Sequence, residues 1–301
     1  MNIQILPDEL ILEIKSYVIF KPNNYELRIA IRLYLRDLKE CNKIYGDISL
    51  WDTSLVTDMS FLFKNCLHFN GNISNWNTIN VTNMKGMFFN AENFNRPLNF
   101  NTKNVTDMSY MFYYALNFNQ PLNFNTINVT TMESMFYHAM EFNQFLYLNT
   151  INVTTMNCMF TYSRKFDQPL KFDTQNVITM KNMFNTAINF NQPLEFNTQN
   201  VTDMSYMFFD ARSFNQPLIF NTENVTDMSY MFFMAISFNQ QLIFNTINVV
   251  KMNHMFCFVK KFNQPLNFNT QNVIDMDNIF KGSRSFSQYN WIIRKYICTF
   301  R

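Results

Sequence analysis

A block of 24 residues repeats from about residue 46 towards the C-terminus, and each copy must build the same local structure and pack on its neighbours. Its clearest form is FNQPLNFNTxNVTDMSYMFYxA. The valines mark the period, running from Val81 to Val273 at intervals of 24, and one earlier copy at Val56 stands 25 residues ahead of Val81. Ten copies therefore fill most of the chain. A fixed period of this size predicts stacked units that share one continuous core and present a long surface, with binding along that surface instead of chemistry in a pocket.

Composition agrees with a packed array. Hydrophobic residues make up 48% of the 301 residues and the 35 phenylalanines recur on the period, whereas a disordered chain would be poor in aromatics. Net charge is +2 and no basic stripe recurs with the repeat, so the chain lacks the phosphate-neutralising footprint of a nucleic-acid binder. The five cysteines, Cys41, Cys66, Cys158, Cys257 and Cys298, fall at unrelated phases, which argues against a disulfide framework and fits a reducing compartment. The first residues, MNIQILPDELILEIKSYV, carry Asp8, Glu9 and Glu13 where a signal peptide needs an apolar run. No segment has the apolar length of a membrane span. These features predict an intracellular, cytoplasmic protein with no membrane partner. The recurring sequons, such as Asn80-Val81-Thr82, read as by-products of the repeat.

One copy is enough to predict the unit. Val105, Met108, Met111, Phe112 and Ala115 make the apolar stripe of a short helix, with Thr106 or Asp107 as its cap. Such a helix is only about two turns long and needs stacked neighbours. Phe118 follows, and its equivalents predict a buried phenylalanine column. Leu122 and Phe124 alternate with polar neighbours, as in a short half-buried strand, and Pro121 is tolerated at its start. An asparagine precedes every valine from Asn80 to Asn272, which predicts a ladder of turn-bonding side chains. The expected fold is an α/β solenoid, leucine-rich-repeat-like, of ten 24–25-residue coils, each with one short strand and one short helix. The expected organisation is a helical N-terminal cap over 1–45, the repeat over 46–290 and a C-terminal cap over 291–301.

The strings VTDMSYMF and FNQPL resemble the BspA-like leucine-rich repeat family, whose repeats occur in Mycoplasma-type surface lipoproteins and in protist and giant-virus proteins. The likeness covers about residues 25–286. Gly46-Asp47-Ile48-Ser49-Leu50-Trp51-Asp52-Thr53 and Gly71-Asn72-Ile73-Ser74-Asn75-Trp76-Asn77-Thr78 carry that family's GxIxxWxT form. The resemblance implies adhesion or protein binding without catalysis. Further upstream, Leu6-Pro7-Asp8-Glu9-Leu10-Ile11-Leu12-Glu13-Ile14-Lys15-Ser16-Tyr17-Val18 resembles the opening of an F-box. That resemblance implies a ubiquitin-ligase substrate adaptor that meets a Skp1-type partner through Leu6, Pro7, Leu10, Ile14 and Tyr17. The same stripe serves equally as a cap on the exposed end of the array. A second amphipathic helix is expected from Glu26 to Leu35.

No catalytic set emerges. His68, His138 and His254 stand at three different phases, and no metal-ligand spacing or nucleophile motif recurs, so no enzyme, cofactor or metal is expected. Asp58, Asp107, Asp203, Asp227 and Asp275 share one phase and read as helix caps. The variable positions are more telling. Between the inward Leu and Phe of each predicted strand stands one outward residue, and down the array it becomes Tyr147, Lys171, Glu195, Ile219 and Ile243 between asparagines at either end. Variable side chains on a regular face are how stacked repeats build binding surfaces, so these five are the candidate partner-binding residues. A second column, with Phe89, Tyr113, Tyr137, Phe209 and Phe233, reads either as core filling or as a protein contact.

Overall fold

The structure is a computed structural model that describes residues 19–287. The F-box-like residues Leu6, Pro7, Leu10, Ile14 and Tyr17 lie outside the described residues. Two helices open the described chain, α1 (Asn24–Arg36) and α2 (Leu38–Tyr45). Helix α1 begins with a capping box in which Asn23 accepts from the backbone of Tyr25 and Glu26, while Glu26 accepts from the Asn23 backbone. Leu27, Ala30 and Ile31 are its buried stripe. The helix closes the first end of the array chemically as well as sterically. Asn24 Oδ1 accepts the backbone N–H groups of Thr57 and Asp58 at 2.9 and 3.2 Å, bonds that a preceding coil would otherwise take. Arg28 donates to the Ser60 carbonyl at 2.9 Å.

Beyond α2 the expected α/β solenoid is overturned. After the single 3-10 turn Ile48–Leu50, no further helix is formed among the described residues, and no strand is formed. Single-residue parallel bridges form two columns, of which only the leucine column stands where strands were expected. One column runs unbroken at the aspartate phase, from Asp58 to Asn83 to Asp107 and on to Lys251 and Asp275. A second joins Leu98 to Leu122 to Leu146, and Leu194 to Leu218 to Leu242. Each bridge pairs a residue with its equivalent one copy later, so the copies do stack in register.

The helix fails for a reason visible in the backbone. Twenty-one of the described residues have positive φ, and apart from Gly46 they fall five and nine positions after each valine, as with Tyr110 (59°) and Tyr114 (55°). A left-handed residue every fourth position reverses the chain into consecutive turns and forbids an α-helix. Alternate N–H groups then point along the stack. Met84, Gly86, Phe88 and Asn90 donate to the carbonyls of Asp107, Ser109, Met111 and Tyr113 in the next coil, at 2.6–3.1 Å. Between them Met87, Phe89 and Ala91 close turns within the coil. Each non-glycine left-handed residue costs on the order of 1 kcal/mol. The repeated inter-coil bonds offset it, because a two-turn helix in isolation is marginal anyway. The apolar spacing that suggests a helix is also what successive four-residue turns require to keep Val, Met and Phe inside.

Two phenylalanine columns form the centre of the core. Phe112, Phe136, Phe160 and Phe184 stack at 5.6–5.7 Å between ring centroids, and each also stacks on the second column, as Phe160 does on Phe166 at 4.1 Å. All of these rings are buried. The polar ladders flank them. Asn104, Asn128 and Asn152 donate to the preceding coil, to Ile79, Lys103 and Ile127 carbonyls, at 2.8 Å. The expected asparagine ladder is present, and it joins coils to one another. The side-chain amide of the sequon residue Asn80 is likewise bonded to the Ser54 carbonyl. Buried threonines bond the other way, with Thr102 and Thr126 donating to Asn125 and Asn149 carbonyls of the following coil. The FNQ string has its own role. Asn119 Oδ1 accepts both the Asn143 N–H and the Gln144 Nε2, at 2.9 and 3.0 Å. Asn119→Ala is expected to cost about 1–3 kcal/mol in urea unfolding by losing two acceptor bonds. Asn119→Asp should stay within about 0.5 kcal/mol, because Asp167 accepts the same pair from Asn191 and Gln192.

Candidate functional site

The five variable residues are brought together on one face. Leu146 and Leu148 are buried on either side of Tyr147, Leu218 and Phe220 on either side of Ile219, and Leu242 and Phe244 on either side of Ile243. The alternation expected of a strand therefore survives, although only single bridges form. The buried neighbours push the residue between them outward: Tyr147 is 76%, Ile219 92% and Ile243 84% exposed. Lys171 and Glu195 are exposed on the two coils between. Leu170 joins no bridge, yet register holds across that step, where Phe172 and Phe196 stack at 6.4 Å.

Two exposed columns border this one. On one side stand Pro121, Pro169, Pro193 and Pro217, and on the other asparagines such as Asn125 and Asn149. Phe145 replaces proline in the coil of Tyr147, is half exposed, and lies at 6.4 Å from the Tyr147 ring. Strand alternation does not single out Phe145. Its signal in the sequence is the change of FNQPL to FNQFL at one copy. The face thus carries an aromatic pair at one end, opposite charges in the middle and two bare isoleucines at the other end. Singly exposed apolar residues are ordinary; here they stand as two pairs, Phe145 with Tyr147 and Ile219 with Ile243, on either side of the charges.

The second column turns out half-buried. Phe89, Tyr113 and Tyr137 stack face to face at 4.5 and 4.6 Å, and Phe209 on Phe233 at 4.7 Å. Their ring faces are largely used on one another. Neighbouring polar groups are structural. The Tyr110 hydroxyl donates to Glu133 Oε1 at 2.7 Å, and burial together with that carboxylate raises its pKa far above the ordinary phenol. Burial pushes the Cys66 thiol up to about 11, so it stays protonated at neutral pH. His138 packs edge-on to Tyr114 at 4.3 Å, and burial followed by the nearby Arg164 lowers its pKa. The aspartates expected to cap helices serve turns instead, as when Asp107 Oδ1 accepts the Ser109 N–H at 2.8 Å.

Two shallow depressions lie elsewhere. One, of about 550 Å³, sits between α1 at Tyr34 and Leu35 and the first coil at Asn65–Gly71. The other, of about 570 Å³, runs along Asn152, Thr154, Asn176, Ile178 and Asn200. The amides of its asparagines are already bonded to backbone carbonyls. Neither depression reaches the column of Tyr147. No helix among the described residues is long and apolar enough to cross a membrane.

A family model described as Mycoplasma protein of unknown function, DUF285, matches residues 35–147, 146–242 and 219–296, three overlapping segments that together span 35–296. No curated protein matches the chain.

Proposed function

As a chain that belongs to the family of Mycoplasma protein of unknown function, DUF285, this protein is one we propose to be a non-enzymatic repeat scaffold that binds protein along its column of variable exposed residues. The single observation that carries the reading is the regularity of the face against the variability of its central column. Apart from Gln241 and Asp173, the neighbouring positions keep to proline, asparagine or a buried Leu or Phe, whereas Phe145, Tyr147, Lys171, Glu195, Ile219 and Ile243 break the pattern outward. Aromatic anchors and bare aliphatic side chains, with charges between them, are the residue types from which protein interfaces are built. The adaptor role through Leu6, Pro7, Leu10, Ile14 and Tyr17 rests on the sequence resemblance alone; the family match begins at residue 35 and leaves those residues uncovered. Binding of a Skp1-type partner by the full chain, lost on removal of residues 1–20, is the measurement for that role.

A site-specific photo-crosslinker in the full chain tests the scaffold reading. Placed at Ile219, it should give protein crosslinks at least about tenfold stronger than the same probe at exposed Thr226, and Tyr147→Ser with Ile243→Ser should abolish them. Equal crosslinking from both positions, or crosslinks indifferent to the two substitutions, would reject the face.

A further inference from the structure

The central column is self-complementary over its four middle members, Tyr147, Lys171, Glu195 and Ile219. From Asn99 to Asn267 it has eight members, one per coil, and its midpoint falls between Lys171 and Glu195. Turning a second copy about a two-fold axis that lies in the plane of contact, level with that midpoint and perpendicular to the stack, sets the two faces against each other with the stacks antiparallel. Lys171 then meets Glu195 of the second copy, and Glu195 meets its Lys171. Tyr147 meets Ile219 and Ile219 meets Tyr147. In the bordering column the same operation sets Phe145 level with Pro217. Further out Asn123 meets Ile243, and at the ends Asn99 faces Asn267. This is the requirement for an isologous contact, in which residue i touches j and j touches i.

We propose that this face is a self-association surface, joining two copies of the chain in an antiparallel dimer centred on the reciprocal Lys171–Glu195 pairs. The proposal rests on the protein-binding reading of the column and names its partner as a second copy. Charge complementarity selects it. A parallel arrangement of the two stacks in coil-for-coil register would set Lys171 on Lys171 and Glu195 on Glu195, and a shift of the antiparallel pair by one coil would set either Lys171 on Lys171 or Glu195 on Glu195. Size permits it. Eight coils at ~4.8 Å and three columns at ~6.7 Å give a face of about 38 by 20 Å, or roughly 750 Å² per copy. Doubled, that is roughly 1,500 Å², within the range of a specific interface. The flanking rows are mostly proline and asparagine, broken by Phe145, Gln241 and Asp173, and the exposed apolar side chains near the middle supply the burial.

Sedimentation velocity of the full chain over about 1–200 µM provides the test, since an interface of this size commonly gives micromolar or tighter association. The wild type should dimerise. Lys171→Glu alone and Glu195→Lys alone should each weaken the dimer by roughly tenfold or more, because both central pairs become like-charged. The double variant K171E/E195K should dimerise again. An equimolar mixture of the two single variants should also associate, since each then offers the charge the other lacks, which excludes misfolding as the cause of their monomeric state. A wild type that stays monomeric, or single variants that dimerise as well as the wild type, overturns the proposal. A monomeric wild type whose Ile219 crosslinks remain specific overturns it while leaving the protein-binding reading standing with a foreign partner.

Discussion

Phe160→Ala is expected to destabilise the protein by about 3–5 kcal/mol, the upper range for truncation of a buried side chain. Phe160 is fully buried and lies mid-stack. Its ring faces Phe136 on one side and Phe184 on the other at 5.7 Å, and Phe166 within its own coil at 4.1 Å. Removing it deletes contacts to two coils at once, and the neighbouring rings are held in register by backbone bonds, so the cavity cannot collapse. Phe160 N–H donates to Met183 O at 2.9 Å, and Phe136 N–H to Met159 O at 3.0 Å. Urea unfolding followed by far-ultraviolet circular dichroism measures the loss. In a stacked array each coil is stabilised mainly by its neighbours, so the transition of the variant should also broaden as the two halves uncouple. A loss under about 1 kcal/mol would mean that the ring columns do not carry the stability assigned to them.

Gly86→Ala is expected to destabilise by about 2–4 kcal/mol, with a sign that separates the observed turn from the helix expected of this segment. Within a helix, alanine in place of glycine would stabilise by about 0.5–1 kcal/mol. In the folded coil Gly86 has a φ of 56°, and a Cβ there would lie 2.3 Å from Phe61 Cε1. Alanine must therefore both adopt a left-handed backbone and displace the ring. The double variant Phe61→Ala with Gly86→Ala removes the ring and isolates the backbone cost, so the second substitution should then cost only about 1–2 kcal/mol. Equilibrium unfolding of the four proteins completes the cycle. A stabilised Gly86→Ala protein would restore the helical reading.

Much of the core is legible in the sequence because burial leaves a direct mark on composition. Val105, Met108, Met111, Phe112 and Phe118 read as inward, and all are fully buried. Asn104 and its equivalents read as a ladder, since a short amide recurring at a turn has few other uses, and each bonds a neighbouring carbonyl. The outward direction of Tyr147, Lys171, Glu195, Ile219 and Ile243 follows from period-two alternation alone. Helix α1 is legible in position because its stripe is amphipathic and its start is capped. The repeat segments are not legible in the same way. Their left-handed positions are occupied by Tyr110, Ser134, Cys158 and Asn182 in successive coils, without the recurrent glycine that normally announces such a backbone. A three-and-four spacing of apolar residues serves a helix and a train of turns equally.

Sequence alone thus determined the period, the identity of the core and ladder residues, and which side chain of each copy is free to vary. The core and the outward positions follow from whether a side chain prefers water or apolar surroundings, and the ladder from the short amide that recurs at each turn. Tertiary structure decided how the backbone is satisfied and which free residues become neighbours. An N–H such as that of Phe112 can bond within its own coil or to Met135 O in the next, and only the presence of the next coil makes the second choice available. The same stacking brings residues 24 apart onto adjacent coils, so that Lys171 and Glu195 become the centre of one face. Neighbour relations of that kind arise from packing between copies, and no single copy contains them.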